Sequence, residues 1–350
     1  MHGQYEYQQA LDSLRFTPEQ KAALADRAVR SAQREVRRRW PVGRALVIAA
    51  ALAAVLMAGA GASGVLKSAA EAFAPIWGGS AAQTEIIDKI GYPIGAGDTD
   101  NGVTITADAI IGDAYNACIV YTIRRDDGTS LLPEGTDEKA LTMGGFGGTW
   151  MKVTGGSHGS AWFVDDIPGD DTIQLVQTIS ADVPITKRTA TAEFQDLRGW
   201  DNAAGEAVTL IEGHWKFRFD VDYEDSSVTL GGGETFEQNG MTFTVDSVTV
   251  SPIAVRVAYT VDREVQWSNA PSGREPEEDR LQMQRYFENV EILLTKTDGT
   301  VTDMSNAGGS IKPENGVTVC DKGEVFDEII PLEELRSISV GGIVYPISAD

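Results

Sequence analysis

Cysteine is nearly absent: 350 residues hold two, Cys118 and Cys320. Two thiols so far apart make neither a disulfide framework nor a metal-ligand spacing, and two free thiols are expected. Histidine is scarce too, with only His2, His158 and His214. His158 sits in the glycine-rich "GGSHGSAW" and His214 opens a strand, neither in a nucleophile-elbow or triad setting. No H-E-x-x-H, phosphate-binding loop or dinucleotide fingerprint occurs. Catalytic, cofactor-binding and metal-ligating residues are therefore not assigned, no cofactor is expected, and the chain is not read as an enzyme. The acidic stretches "GDTDNG" (97–102) and "DDIPGDD" (165–171) lack the spacing of an EF-hand loop. Asp, Asn and Gly are ordinary turn residues, with calcium the alternative reading of the same side chains.

Positive charge is rare outside one end. The net charge is −23, yet residues 1–44 carry nine Lys or Arg against five acids. Everything after residue 44 carries 20 basic and 47 acidic residues. A body this acidic repels nucleic acid and anionic lipid, so nucleic-acid binding is not expected.

Long apolar runs are absent but for one. Residues 45–66, "ALVIAAALAAVLMAGAGASGVL", are 22 in number and uncharged. As a helix they extend about 33 Å, against roughly 30 Å of bilayer hydrocarbon. Arg37, Arg38, Arg39 and Arg44 flank the run on one side, and Lys67 follows it on the other. The positive-inside rule then puts the N-terminus in the cytoplasm and the body outside. Small residues at 58–64 offer cleavage positions near Ala60 or Ala62, but a secretory signal is only about 15–30 residues in all. A retained single span in the plasma membrane is the favoured reading.

The head, 1–44, holds a helix start. Thr17 caps, Pro18 takes the first helical position and Gln20 completes a T-x-x-Q capping box. Leu11, Leu14, Phe16 and Leu24 make an apolar patch for a partner, although the head is too small to bury a core alone. An amphipathic helix that merely anchors at the lipid surface is the competing account.

After residue 84 the pattern changes to period-two alternation with turn signals. Trp215, Phe217, Phe219 and Val221 alternate with Lys216, Arg218, Asp220 and Asp222, as in a half-buried strand. Asp-Gly pairs in "DDGT" (126–129) and "TDGT" (297–300) predict hairpin turns. An internal repeat is also present: "NGVTITADAIIGDAYNACIVYTI" (101–123) aligns without gaps on "NGMTFTVDSVTVSPIAVRVAYTV" (239–261), an offset of 138. Ala117, Ile119, Tyr121 and Ile123 then match Val255, Val257, Tyr259 and Val261 as the inward face. Cys118 matches Arg256 on the other face. The second copy carries a charged insertion at 263–287 that predicts a short helix. The fold expected is mainly β: two tandem immunoglobulin-like β-sandwich domains after an N-terminal helical head and one transmembrane helix. The divisions read 1–44 head, 45–66 span, 67–84 linker, 85–230 first sandwich and 231–350 second sandwich, with the glycines of "SVTLGGGETF" (227–236) as a hinge between them.

The stretches "ALDSLRFTPEQKAALADRA", "IGYPIGAGDTDNGVTITADAIIGDAYNACIVYTI", "GHWKFRFDVDY" and "VTVSPIAVRVAYTV", together with the single span, resemble domain-of-unknown-function family four-one-seven-nine. The family comprises Gram-positive single-pass membrane proteins treated as anti-sigma factors of extracytoplasmic-function sigma factors. The resemblance implies a cytoplasmic sigma-factor partner for the head and an envelope ligand for the body. It brings no active site, and the head lacks the His and Cys ligands of zinc-containing anti-sigma domains. The alternative reading is a membrane-anchored surface binding or adhesion module without a signalling role.

Overall fold

Near-continuous apolar runs at Ala107–Ile111 and Ala117–Tyr121 require strands covered on both faces, and two packed sheets plus a pair of helices provide that cover. The computed structural model describes residues 67–347 apart from 78–80, 137, 151–155, 186–187, 202–204, 269 and 272–275. The head and the apolar run, with Leu11, Leu14, Phe16, Leu24, Arg37, Arg38, Arg39 and Arg44, lie outside the described residues. Among the described residues no helix is long and apolar enough to cross a membrane.

Two helices come first, α1 (Ala69–Trp77) and α2 (Ala81–Ile90). The first module follows: β1 (Gly91–Asp100), β2 (Val103–Gly112), β3 (Asn116–Arg125), β4 (Thr142–Trp150), β5 (Ser157–His158), β6 (Ala161–Val164), β7 (Thr172–Ala181), β8 (Arg188–Asp201) and β9 (Glu206–Val221). One sheet runs β1-β2-β3-β7-β5, with β6 also on β7, and the other runs β4-β8-β9. The second module has β10 (Val228–Gly231), β11 (Thr235–Gln238), β12 (Met241–Val250) and β13 (Ala254–Val261). After these comes α3 (Glu277–Met283), running into a π-turn at Gln284–Glu288. It ends with β14 (Ile292–Lys296), β15 (Val301–Asp303), β16 (Gly308–Glu314), β17 (Val317–Val325), β18 (Leu335–Val340) and β19 (Ile343–Pro346). Its sheets run β10-β12-β13-β17-β16, with β11 also on β12, and β15-β14-β18-β19. The chain is mainly β, as expected, and in each module the two sheets close on one apolar core.

The 138-residue repeat maps onto geometry. β2 with β3, and β12 with β13, are hairpins that pair antiparallel. Each is entered through an Asn-Gly turn with both residues at positive φ, Asn101 and Gly102 in one copy and Asn239 and Gly240 in the other. Each first strand carries a bulge, at Asp108 between Ala107 and Ala109, and at Asp246 between Val245 and Ser247. A bulge adds one residue and flips the alternation. Val103, Ile105 and Ala107 therefore share the core with Ile110, as Met241, Phe243 and Val245 share theirs with Val248. Both bulged carboxylates accept from the same neighbour: Thr122 Oγ1 donates to Asp108, and Thr260 Oγ1 donates to Asp246 at 2.8 Å.

Three expectations meet a different geometry. Residues 67–84, read as a linker, hold α1 and the start of α2. "SAAE" at 68–71 is a capping box, in which Glu71 N donates to Ser68 Oγ (3.1 Å) and Ser68 N donates to Glu71 Oε2 (2.8 Å). The glycines read as a hinge instead let β10 and β11 crowd the β12 bulge: a Cβ on Gly232 would fall 2.1 Å from the Asp246 carbonyl oxygen. Of the two Asp-Gly turns expected to close hairpins, 297–300 joins the paired β14 and β15, whereas 126–129 does not, because the strand after it, β4, pairs with β8. Turn chemistry is local, but which strand follows is decided by packing.

Candidate functional site

The seam between the modules is made by the repeat meeting itself. In the turn between β2 and β3, Asp113 Oδ1 accepts from the backbone N–H of Tyr115 (2.8 Å) and Asn116 (2.7 Å). In the turn between β12 and β13, Ser251 Oγ accepts from the N–H of Ile253 (3.2 Å) and Ala254 (3.1 Å). Asp113 and Ser251 are 138 residues apart, hence equivalent, and Ser251 Oγ donates to Asp113 Oδ2 at 2.6 Å. Equivalent positions of the two copies thus meet across the seam. Asp113 is only 2% exposed, and burial raises its pKa against the pull of its hydrogen-bond donors.

Polar contacts extend the seam. The Arg256 guanidinium lies 3.9 Å from the centre of the Tyr115 ring and pairs with Asp321, while Lys312 on β16 pairs with Asp182 beyond β7. Burial raises the Asp321 pKa, with Arg256 opposing it.

An apolar wedge completes it. Phe73 and Trp77 of α1 stack at 4.7 Å. With Ala69 and Ala72 they pack on Ala109, Ile111, Cys118, Val120 and Val176 of the first module and on Ile253, Ala254 and Ile329 of the second. Gln83 Nε2 on α2 donates to the Ile329 carbonyl at 3.3 Å, and Gln174 Nε2 donates to the Ala72 carbonyl at 3.4 Å. Lys67, read as a membrane-flanking residue, reaches the same frame: its Nζ pairs with Asp108 Oδ2 at 3.4 Å. Asp108 is buried, which raises its pKa, and Lys67 opposes the shift.

The acidic turn residues weighed for calcium serve the backbone. Asp98 Oδ2 accepts from Lys216 N and Asp100 Oδ2 from His214 N, both at 2.8 Å, so β1 side chains cover the outer edge of β9. Asp170 and Asp171 both accept from Thr172. Among the described residues no group of three His, Cys, Asp or Glu side chains is gathered as a metal site requires. Both thiols are free and buried, with Cys118 under α1 and Cys320 in the second core. Sequence reasoning missed α1, Asp113, Ser251 and the buried Lys322. The "SAAE" box was the legible signal for the first, and the 113/251 alignment for the next two.

No protein-family model matches the chain, and no curated protein does. Among solved structures it is similar to a conserved domain protein from Bacillus anthracis, at 17% identity over 71% of this chain and 75% of that one, with a TM-score of 0.45. A likeness that loose assigns neither fold nor function.

Proposed function

We propose that the chain is a single-pass plasma-membrane regulator of the anti-sigma type, not an enzyme. In this reading the head contacts a cytoplasmic sigma factor through Leu11, Leu14, Phe16 and Leu24. The 45–66 run spans the membrane, and two extracellular immunoglobulin-like sandwiches sense an envelope ligand. One observation supports it: Lys67, the residue that follows the apolar run in sequence, is tied to the module seam. Lys67 pairs with a buried carboxylate, and the next helix is a wedge between the modules. A rearrangement of the modules that moves the wedge would be felt at residue 67, two residues before α1. The strand orders support the sandwich reading. β2-β3-β7-β5 with β4-β8-β9, and β12-β13-β17-β16 with β14-β18-β19, match the four-and-three strand order of an immunoglobulin constant domain, with β1, β6, β10, β11 and β15 added at the sheet edges.

Co-purification of the full chain with an extracytoplasmic-function sigma factor of the same cell is the test. Capture is expected, with loss of capture on replacing Leu14 and Phe16 by Ser. If nothing is captured, and exchanging the head for an unrelated basic anchor leaves transcription unchanged, the body is an anchored surface-binding module and the regulator reading fails.

A further inference from the structure

The turn that holds the seam has a second side. Asp113 and Ala114 also line a cleft of about 690 Å³, closed by Lys89 at the end of α2, Gly91 of β1, Pro184, Ile185 and the segment 221–225 after β9. Clefts of roughly 300–1,000 Å³ are the size that holds organic ligands and short peptides. Tyr223 forms part of the wall, and its hydroxyl donates to the Asp113 carbonyl at 3.1 Å. Its ring lies against Gly112, where a Cβ would fall 2.3 Å from the ring carbon that bears the hydroxyl, so this wall requires glycine at 112. The lining divides by chemistry. Among the described lining residues Asp222, Glu224 and Asp225 are the acids other than the buried Asp113, with Lys89 as a cation, and Val221, Pro184, Ile185 and the Tyr223 ring supply apolar wall; Asp225 Oδ1 also accepts from Ser227 N at 2.9 Å.

We propose that this cleft binds a basic peptide segment, a Lys or Arg side chain beside an apolar residue, and is where the envelope ligand of the regulator acts. The cation meets the acidic rim and the neighbouring apolar side chain lies on the wall. This rests on the regulator reading for its role, though not for its chemistry. The occupant touches α2 and the 113–116 turn together. α2 is packed on α1, and the turn holds Ser251 of the other module. Filling the cleft therefore biases the seam on which α1 and Lys67 rest.

The test is binding of acetyl-Lys-Leu-Lys-amide to the full-length protein by calorimetry, beside the same peptide with both lysines acetylated. The basic peptide is expected to bind in the millimolar range or tighter and the acetylated one at least tenfold more weakly. Glu224 and Asp225 are exposed, so Glu224→Gln with Asp225→Asn is expected to keep the fold, checked by melting, and to weaken binding by about tenfold. Lys89→Glu is expected to tighten it about threefold and to lose that gain at high salt. Equal affinity for both peptides, equal affinity of the neutralised variant, or no binding at 10 mM peptide overturns the site. Peptide binding without sigma-factor capture sinks the regulator reading and leaves the site standing. Capture without peptide binding does the reverse.

Discussion

Cys118 and Arg256 occupy one position of the repeat, on the outer faces of β3 and β13, and their surroundings have nothing in common. In the first copy that face reads Ala109, Ile111, Cys118 and Val120, and it is buried under α1 and α2. In the second the same positions read Ser247, Thr249, Arg256 and Ala258 and carry no helix. The inner faces diverge as well. Tyr121 and Tyr259 are equivalent core tyrosines, but Tyr121 hydrogen-bonds Thr149 of β4, whereas Tyr259 donates to the Tyr286 carbonyl (2.9 Å) in the π-turn that the insertion supplies. A duplicated hairpin thus keeps its strand plan, turn and bulge because these are backbone features. Each face is rewritten according to what covers it. The outer face of the first copy is rewritten for the α1–α2 cover, and that of the second for the polar contacts of the seam.

Removing the wedge should break this asymmetry most severely. Phe73 is fully buried between the modules. Phe73→Ala is expected to cost about 3–5 kcal/mol in urea unfolding of the full chain, and to expose Cys118 to thiol reagents while Cys320 stays protected. Reactivity of both thiols, or of neither, would show that α1 does not shield Cys118 selectively.

The second copy has its own buried oddity. Lys322 is fully buried, with Nζ donating to the carbonyls of Phe287 (2.8 Å), Glu288 and Val290 (both 3.4 Å). Burial pulls its pKa down from 10.5 to about 8. A cation with a depressed folded-state pKa adds most to stability above pH 10.5. That contribution falls as pH drops to about 8 and is flat below it. Wild-type protein should therefore gain about 3 kcal/mol relative to Lys322→Met as pH rises across this window. Denaturation midpoints at pH 7.5 and 10.5 for both proteins measure the difference, and a parallel response removes Lys322 as the cause.

The seam itself contributes less. Ser251→Ala deprives the buried Asp113 carboxylate of its donor from the other module. The expected loss is about 2 kcal/mol, as for other hydrogen bonds to charged groups. Asp113→Asn in the same background should then cost little more, since the pair is already broken. Additive losses would mean that the two turns do not act together.

Much of this was legible. The alternation of Trp215, Phe217, Phe219 and Val221 appears as burial of those four side chains, and the aligned inward faces of β3 and β13 sit in their two cores. Period-two patterning reads well because one face of a sheet is always packed. What the pattern did not convey is non-local. The run at Ala69–Trp77 reads as a linker because it is short and holds a proline, and only the seam explains the burial of its alanines, Phe73 and Trp77. Lys322 is invisible in sequence because its partners are carbonyls 32–35 residues away. The glycines at 231–233 mimic a hinge, since flexibility and close approach use the same residue.

The mildest test compares the bulges. Thr122 and Thr260 are equivalent and each donates to its bulged aspartate, but only Asp108 is buried and only Asp108 also pairs with Lys67. A donor matters most where the acceptor cannot turn to water. Thr122→Val is therefore expected to cost about 1–2 kcal/mol and Thr260→Val a few tenths. Burial raises the Asp108 pKa, so its contribution to stability is fully present below pH 3.8 and is lost as pH rises through the folded value. Losing the Thr122 hydroxyl raises that pKa further. The penalty of Thr122→Val should accordingly be smaller at pH 4 than at pH 7. Equal penalties at both bulges would mean that the tie from Lys67 through Asp108 to β3 does not distinguish the copy next to the apolar run.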